Sequence, residues 1–182
     1  RPGMDLTFSA PKSVSVLAYV TGDKRILGEG GANSNAVTRT MKWVEAKFAE
    51  GRKIDSDGRV LPVHTGKLVY ALFQHDTSRA LDPQAHIHAV IANMTKLPDG
   101  KWQALHASKI WSNNTAIGSV YHAFLREEME KLGYQVELKG KHGTFEIAGV
   151  PKAVLEAFSQ RREAILAKAA ELGITSPKGR DG

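Results

Sequence analysis

His86 and His88 stand two residues apart in the run His86-Ile87-His88-Ala89-Val90-Ile91-Ala92-Asn93-Met94, whose apolar and β-branched character predicts a strand. A strand turns successive side chains to opposite faces, so both imidazoles lie on one face, spaced to share a metal ion. His75 closes a second apolar run, residues 68–75. If the two runs pair antiparallel through the 76–85 connection, His75 reaches the same face. Three imidazoles leave coordination positions open, which suits a catalytic ion that polarises a phosphoryl oxygen rather than a closed structural site. Asp5 sits on the polar side of the alternating run 4–8, where it could orient one imidazole through a hydrogen bond.

The remaining histidines read more simply. His64 and His106 fall near strand boundaries, His122 on a helix and His142 in a basic turn, and none is assigned to the metal. Two other His-x-His architectures fit poorly. A cupin needs a Glu shortly after the pair, yet the next one is Glu127. A β-lactamase-like site needs His-x-His-x-Asp-His, yet Ala89, Val90 and Ile91 follow His88.

The elements that must position these groups can be traced along the chain. Residues 4–8 alternate as a half-buried strand, with Met4, Leu6 and Phe8 inward and Asp5 and Thr7 outward. A short buried helix follows the Ser9-Ala10-Pro11 start, and a turn-rich connection covers 22–31. A second helix, capped by Asn33 or Ser34, runs to Phe48 and stops at Gly51. Asp57-Gly58 marks a hairpin tip between 53–54 and 60–61. The runs 68–75 and 86–94 are largely apolar, as central strands are. A turn at 98–101 precedes a strand at 102–105, and an amphipathic helix over 113–132 ends at Gly133, with Val120, Phe124, Leu125 and Met129 facing the core. A hairpin at 134–138 and 144–147 and a last helix over 151–172 complete the chain, with no internal repeat. The domain is expected to span 1–175, with 176–182 a solvated tail.

Composition narrows the function. The 182 residues suit one domain with a buried core, and no apolar run is long enough for membrane insertion. With no cysteine, disulfides, thiolate zinc sites and cysteine nucleophiles are excluded, leaving His, Asp and Glu as metal ligands. The net charge of +6 suits a polyanionic partner. Basic and aromatic residues around the strands, among them Lys12, Arg79, Lys101, Trp102 and Lys141, suit phosphate contact and base stacking.

Three ordered motifs carry a resemblance. They are the run Arg1-Pro2-Gly3-Met4-Asp5-Leu6-Thr7-Phe8-Ser9-Ala10-Pro11-Lys12-Ser13, then Phe73-Gln74-His75-Asp76-Thr77-Ser78-Arg79, then His86-Ile87-His88-Ala89-Val90-Ile91-Ala92-Asn93. Together they resemble conjugative relaxases of the MobF class, within the endonucleases named for a His-hydrophobe-His motif. Gly140-Lys141-His142-Gly143 and Gly149-Val150-Pro151 extend the similarity over most of the chain.

The resemblance implies an α+β fold, an antiparallel palm-like β-sheet with helices packed on it. It implies that His75, His86 and His88 hold a divalent ion against the scissile phosphate, supported by Asp5. The expected ion is magnesium or manganese, and zinc, nickel or cobalt also suit imidazole. The implied reaction is transesterification, in which a tyrosine hydroxyl attacks origin DNA and leaves a 5′-phosphotyrosyl link. In such relaxases the attacking tyrosines precede the Arg-Pro-Gly segment, so none of Tyr19, Tyr70, Tyr121 and Tyr134 inherits that role. The chain is therefore expected to be an excised part of the relaxase that does not nick alone. Its expected partners are single-stranded DNA at an origin of transfer, relaxosome proteins and a fused C-terminal helicase, in the cytoplasm. The alternative is a non-catalytic module that binds single-stranded or hairpin DNA on the same fold.

Overall fold

The computed structural model describes residues 2–77, 83–157, 167 and 171–172. In chain order the elements are strand β1 (Gly3–Ser9), helices α1 (Lys12–Tyr19) and α2 (Ala32–Phe48), and the hairpin of β2 (Glu50–Ile54) and β3 (Val60–His64). Strands β4 (Tyr70–Thr77) and β5 (Pro83–Ala92) follow, then the short hairpin of β6 (Thr95–Lys96) and β7 (Trp102–Gln103). Helices α3 (Ser108–Ser112) and α4 (Asn114–Lys131), the hairpin of β8 (Val136–Leu138) and β9 (Phe145–Ile147), and α5 (Lys152–Ala157) complete the order.

The main sheet has the order β1-β5-β4 and is antiparallel throughout. Its burial follows the period of two. Leu6 and Phe8 of β1 and Ala85, Ile87, Ala89 and Ile91 of β5 are buried, while Asp5, Thr7 and Ser9 are exposed and His86 and His88 are half-buried. Among the described residues the helices pack on the buried face. α1 is stitched to β5 where Ser15 Oγ accepts the Ala85 amide at 3.0 Å, and to β9 where Ser13 Oγ accepts the Ile147 amide at 2.8 Å. α2 packs against α4, whose Tyr121 ring lies 5.1 Å from that of Phe8. The result is the α+β arrangement expected, an antiparallel sheet with helices packed on one side.

Several expected details are corrected. The run 68–75 was expected to be a central strand, but β4 is an edge strand, and β5 has one open face although it is central in order. α2 is capped by neither Asn33 nor Ser34: it starts after Gly31, and no side chain caps its first amides. Asn33 is instead drawn inward, its Oδ1 accepting the Tyr121 hydroxyl at 2.7 Å, because a buried phenol needs an acceptor. Gly31 is held tight there, since a Cβ would stand 2.6 Å from the Leu27 carbonyl oxygen. Gly51 does not stop the helix; it lies in β2, and the turn out of α2 occurs at Ala49.

The helix expected over 113–132 is present as α4; the short α3 before it was not anticipated, and between the two Asn113 Nδ2 donates to the Lys109 carbonyl at 2.7 Å. The core stripe of α4 is Ile117, Tyr121, Leu125 and Met129. Val120 is only partly buried, and Phe124 packs at the core's edge under the Arg39 guanidinium. α5 begins as expected, but most of the span to 172, and the expected division at 175, lie outside the described residues.

Two predictions follow from this packing. Tyr121→Phe deprives buried Asn33 of its donor and should lower stability by about 1–3 kcal/mol in urea unfolding. An unchanged midpoint would show that the pair contributes nothing. His122, beside the Tyr121 and Phe145 rings at 5.3 and 6.4 Å, has its pKa lowered below the ordinary 6.5 by burial, which penalises the imidazolium. The unfolded chain therefore takes up a proton near pH 6.5 that the folded chain refuses. Stability is full above that pH and falls as the pH drops toward the lower folded value. His122→Gln should flatten that acid-side slope; a slope equal to the wild type's contradicts the assignment.

Candidate functional site

The open face of the sheet is organised in rows, because directly paired residues of an antiparallel ladder point the same way. Ser9 pairs with His86 and His86 with His75; Thr7 pairs with His88 and His88 with Phe73; Asp5 pairs with Val90 and Val90 with Ala71. The antiparallel pairing expected between the two histidine-bearing strands is therefore present. For His75 the structure describes the strand position opposite His86, and its side chain lies outside the described residues.

Two of the imidazoles have their orientation set by hydrogen bonds. His88 Nδ1 lies 2.8 Å from Asp5 Oδ2 and 3.1 Å from Thr7 Oγ1. A carboxylate can only accept, so Nδ1 carries a proton, and in the neutral tautomer the lone pair is on Nε2. His86 Nδ1 lies 3.2 Å from the Gln84 carbonyl oxygen, and a carbonyl likewise only accepts, giving the same tautomer. The His86 and His88 rings are 5.2 Å apart, centroid to centroid, at 77°. Two imidazoles on one face, each with Nδ1 against an acceptor, are a donor set suited to holding a divalent ion through Nε2. Asp5 was expected to support an imidazole, and it lies within hydrogen-bond distance of His88. Thr7 was not anticipated, although its place two residues from Asp5 put it on the same face.

The expected DNA contacts are dispersed. Lys12 opens α1, just after Ser9, the partner of His86. Lys141 is exposed in the turn between β8 and β9. Lys101 and Trp102 belong to the β6–β7 hairpin beyond the other end of β5, where Trp102 is exposed and Lys96 Nζ lies 6.0 Å from its ring. Arg79 lies outside the described residues. The other histidines stand apart from this face. His64 ends β3, His106 Nδ1 bonds Arg52 Nε at 2.9 Å, His122 is on α4, and His142 occupies a left-handed turn with φ 64°.

The tyrosines are engaged elsewhere. Tyr121 is buried, and burial pushes its phenol far above the ordinary range. Tyr134 donates to Asp23 Oδ2, and its pKa is also raised, chiefly by burial. Tyr70 pairs with Ile91, on the sheet face opposite the histidines. Tyr19 closes α1 and packs against the core.

Comparison with known proteins shows the family and the fold. A family model described as TrwC relaxase matches residues 1–182. The multifunctional conjugation protein TraI of Escherichia coli is 45% identical over 174 residues, covering 91% of this chain and 9% of TraI. A metal-bound structure of the conjugative relaxase TrwC in complex with OriT DNA superposes with a TM-score of 0.86 at 45% identity, covering 98% of this chain and 60% of that one. TrwC complexed with a 27-mer DNA comprising the recognition hairpin and the cleavage site gives a TM-score of 0.85 at 45% identity, covering 97% and 61%. The chain thus spans a small part of TraI and about three fifths of the TrwC structures. With the family model matched over the whole chain, and with His86, His88 and Asp5 gathered on one open sheet face, the protein belongs to the TrwC relaxase family.

Proposed function

We propose that this chain is the metal-binding and DNA-binding core of a conjugative relaxase, serving site- and strand-specific nicking of origin DNA by tyrosine transesterification. The observation that carries the reading is the pair of acceptors at the Nδ1 atoms, Asp5 Oδ2 on His88 and the Gln84 carbonyl on His86, which reserves Nε2 of two rings on one sheet face for coordination. His75, directly opposite His86 in the ladder, is the third ligand in this reading. A divalent ion held there, magnesium or manganese by preference, supplies Lewis-acid stabilisation of charge developing on phosphoryl oxygens.

The residues of the chain do the rest. Asp5 and the Gln84 carbonyl fix the tautomers, so that no proton has to leave Nε2 before a ligand binds. Lys12, at the histidine end of β5, and the exposed Lys141 bind phosphates, Arg79 joins them, and Lys101 and Trp102 extend the contact beyond the far end of β5. Strand transfer also needs a phenolic oxygen to attack phosphorus and a 3′ oxygen to leave. Tyr121 and Tyr134 are committed to Asn33 and Asp23, and Tyr70 is on the wrong face. In this reading the nucleophile comes from outside these 182 residues, and the chain alone acts as a single-stranded or hairpin DNA-binding module. The working complex would form in the cytoplasm with relaxosome proteins and a linked C-terminal helicase. Among the described residues no helix is long and apolar enough to cross a membrane.

Calorimetry with Mn²⁺ tests the site. His75→Ala, His86→Ala and His88→Ala should each lose most of the metal affinity, and Asp5→Ala should lower it about 10–100-fold. Undiminished affinity in the histidine variants would sink the three-imidazole site. A nicking assay on single-stranded origin DNA with Mg²⁺ or Mn²⁺ tests the nucleophile. The chain should bind the DNA and form no covalent adduct; an adduct lost in Tyr19→Phe, or in any other single tyrosine variant, would overturn the assignment.

A further inference from the structure

The open face is divided lengthwise by chemistry. On the β1 side stand Asp5, Thr7 and Ser9, beside His86 and His88 of β5. On the β4 side, Phe73 is 53% exposed directly opposite His88, and Val90, 40% exposed, pairs with exposed Ala71. A large aromatic on an open sheet face, next to groups that would handle a phosphate, is costly to leave in water unless a partner covers it. Paired residues have Cβ atoms about 5 Å apart, so the ring edge of Phe73 and the imidazole of His88 serve one ligand at once.

We propose that Phe73 is a base-stacking residue: a nucleobase of single-stranded DNA lies on its exposed ring while the adjoining phosphate sits over the histidines. The proposal rests on the DNA-handling role assigned to this face and adds the group that would receive a base there. Size favours a base over a protein partner. Among the described residues the apolar strip is Phe73, Val90 and Ala71, with Val69, 40% exposed, just before β4; together they fall far short of the roughly 800 Å² per side that a stable protein interface buries, while the Phe73 ring matches one planar base. Phe73 makes no polar contact and offers only its π-face, so the stacking is indifferent to base identity. Its place two residues before His75 is the sequence signal for it, since a strand period of two puts both positions on one face.

The test compares two probes with the same phosphate backbone, a short oligothymidylate and the matching strand of abasic residues, at low salt and without metal. The wild-type chain should bind the base-bearing strand more tightly. Phe73→Ala should lose on the order of tenfold on that strand alone, and Phe73→Trp should restore it. Mn²⁺ affinity should be unchanged in both variants, showing that the metal site is intact. Equal losses on both strands, or no loss on either, would overturn the stacking role while leaving the metal site standing. If the wild type bound neither strand, the DNA-binding reading itself would fail and the stacking proposal with it.

Discussion

The arrangement depends on the double pairing of β5. It is hydrogen-bonded to β1 on one side and to β4 on the other, so its register fixes which residues of three strands share a face. Ala85, Ile87, Ala89 and Ile91 are driven inward by the helices. The alternate positions, His86 and His88 among them, are thereby forced outward without any polar interaction having to select them. A slip of one residue would bury both imidazoles and expose two isoleucines, at a loss of about 1.5–3 kcal/mol for each large side chain alone. The apolar core thus sets the geometry of the polar face.

Within that frame, the contact of Asp5 with His88 converts a shared face into a directed one. Imidazoles on neighbouring positions could turn either nitrogen outward. The carboxylate from β1 and the backbone carbonyl of Gln84 both select Nε2. The two acceptors come from different sources, a neighbouring strand for His88 and the local backbone for His86, so the two rings are oriented independently. β5 thus lies between a polar strip contributed by β1 and an apolar one contributed by β4. A nucleotide, with a charged phosphate and a flat base, has the same two-sided chemistry.

Much of this was legible in the sequence because it rests on local periodicity. The two-residue spacing of His86 and His88 and the alternation of residues 4–8 both follow from strand geometry. The pairing of His75 with His86 needed only one antiparallel connection. What periodicity could not show was tertiary competition for the same groups. Asn33 has the chemistry of a helix cap, yet the buried Tyr121 hydroxyl claims its oxygen. The short helix α3 before Asn113 carried no periodic signal of its own, and its end is marked by the Asn113 side-chain amide bonding the Lys109 carbonyl. The apolar run at 68–75 suggested a strand covered on both faces, because composition does not reveal that Phe73 stands on an open face at the sheet edge. Long-range arrangement limits the DNA contacts in the same way, since Lys12 and Trp102 lie near opposite ends of β5 and no spacing rule relates them.

The central claim is that three imidazoles, His86 and His88 of β5 and His75 of β4, converge through Nε2 on the open sheet face. Long-range proton–nitrogen correlation spectra of the histidine rings, recorded while diamagnetic Zn²⁺ is added, test it most directly. The account predicts that the Nε2 resonances of His75, His86 and His88 shift together while Nδ1 of His86 and His88 stays protonated. Shifts at Nδ1, or shifts confined to His64, His106 or His142, would contradict it.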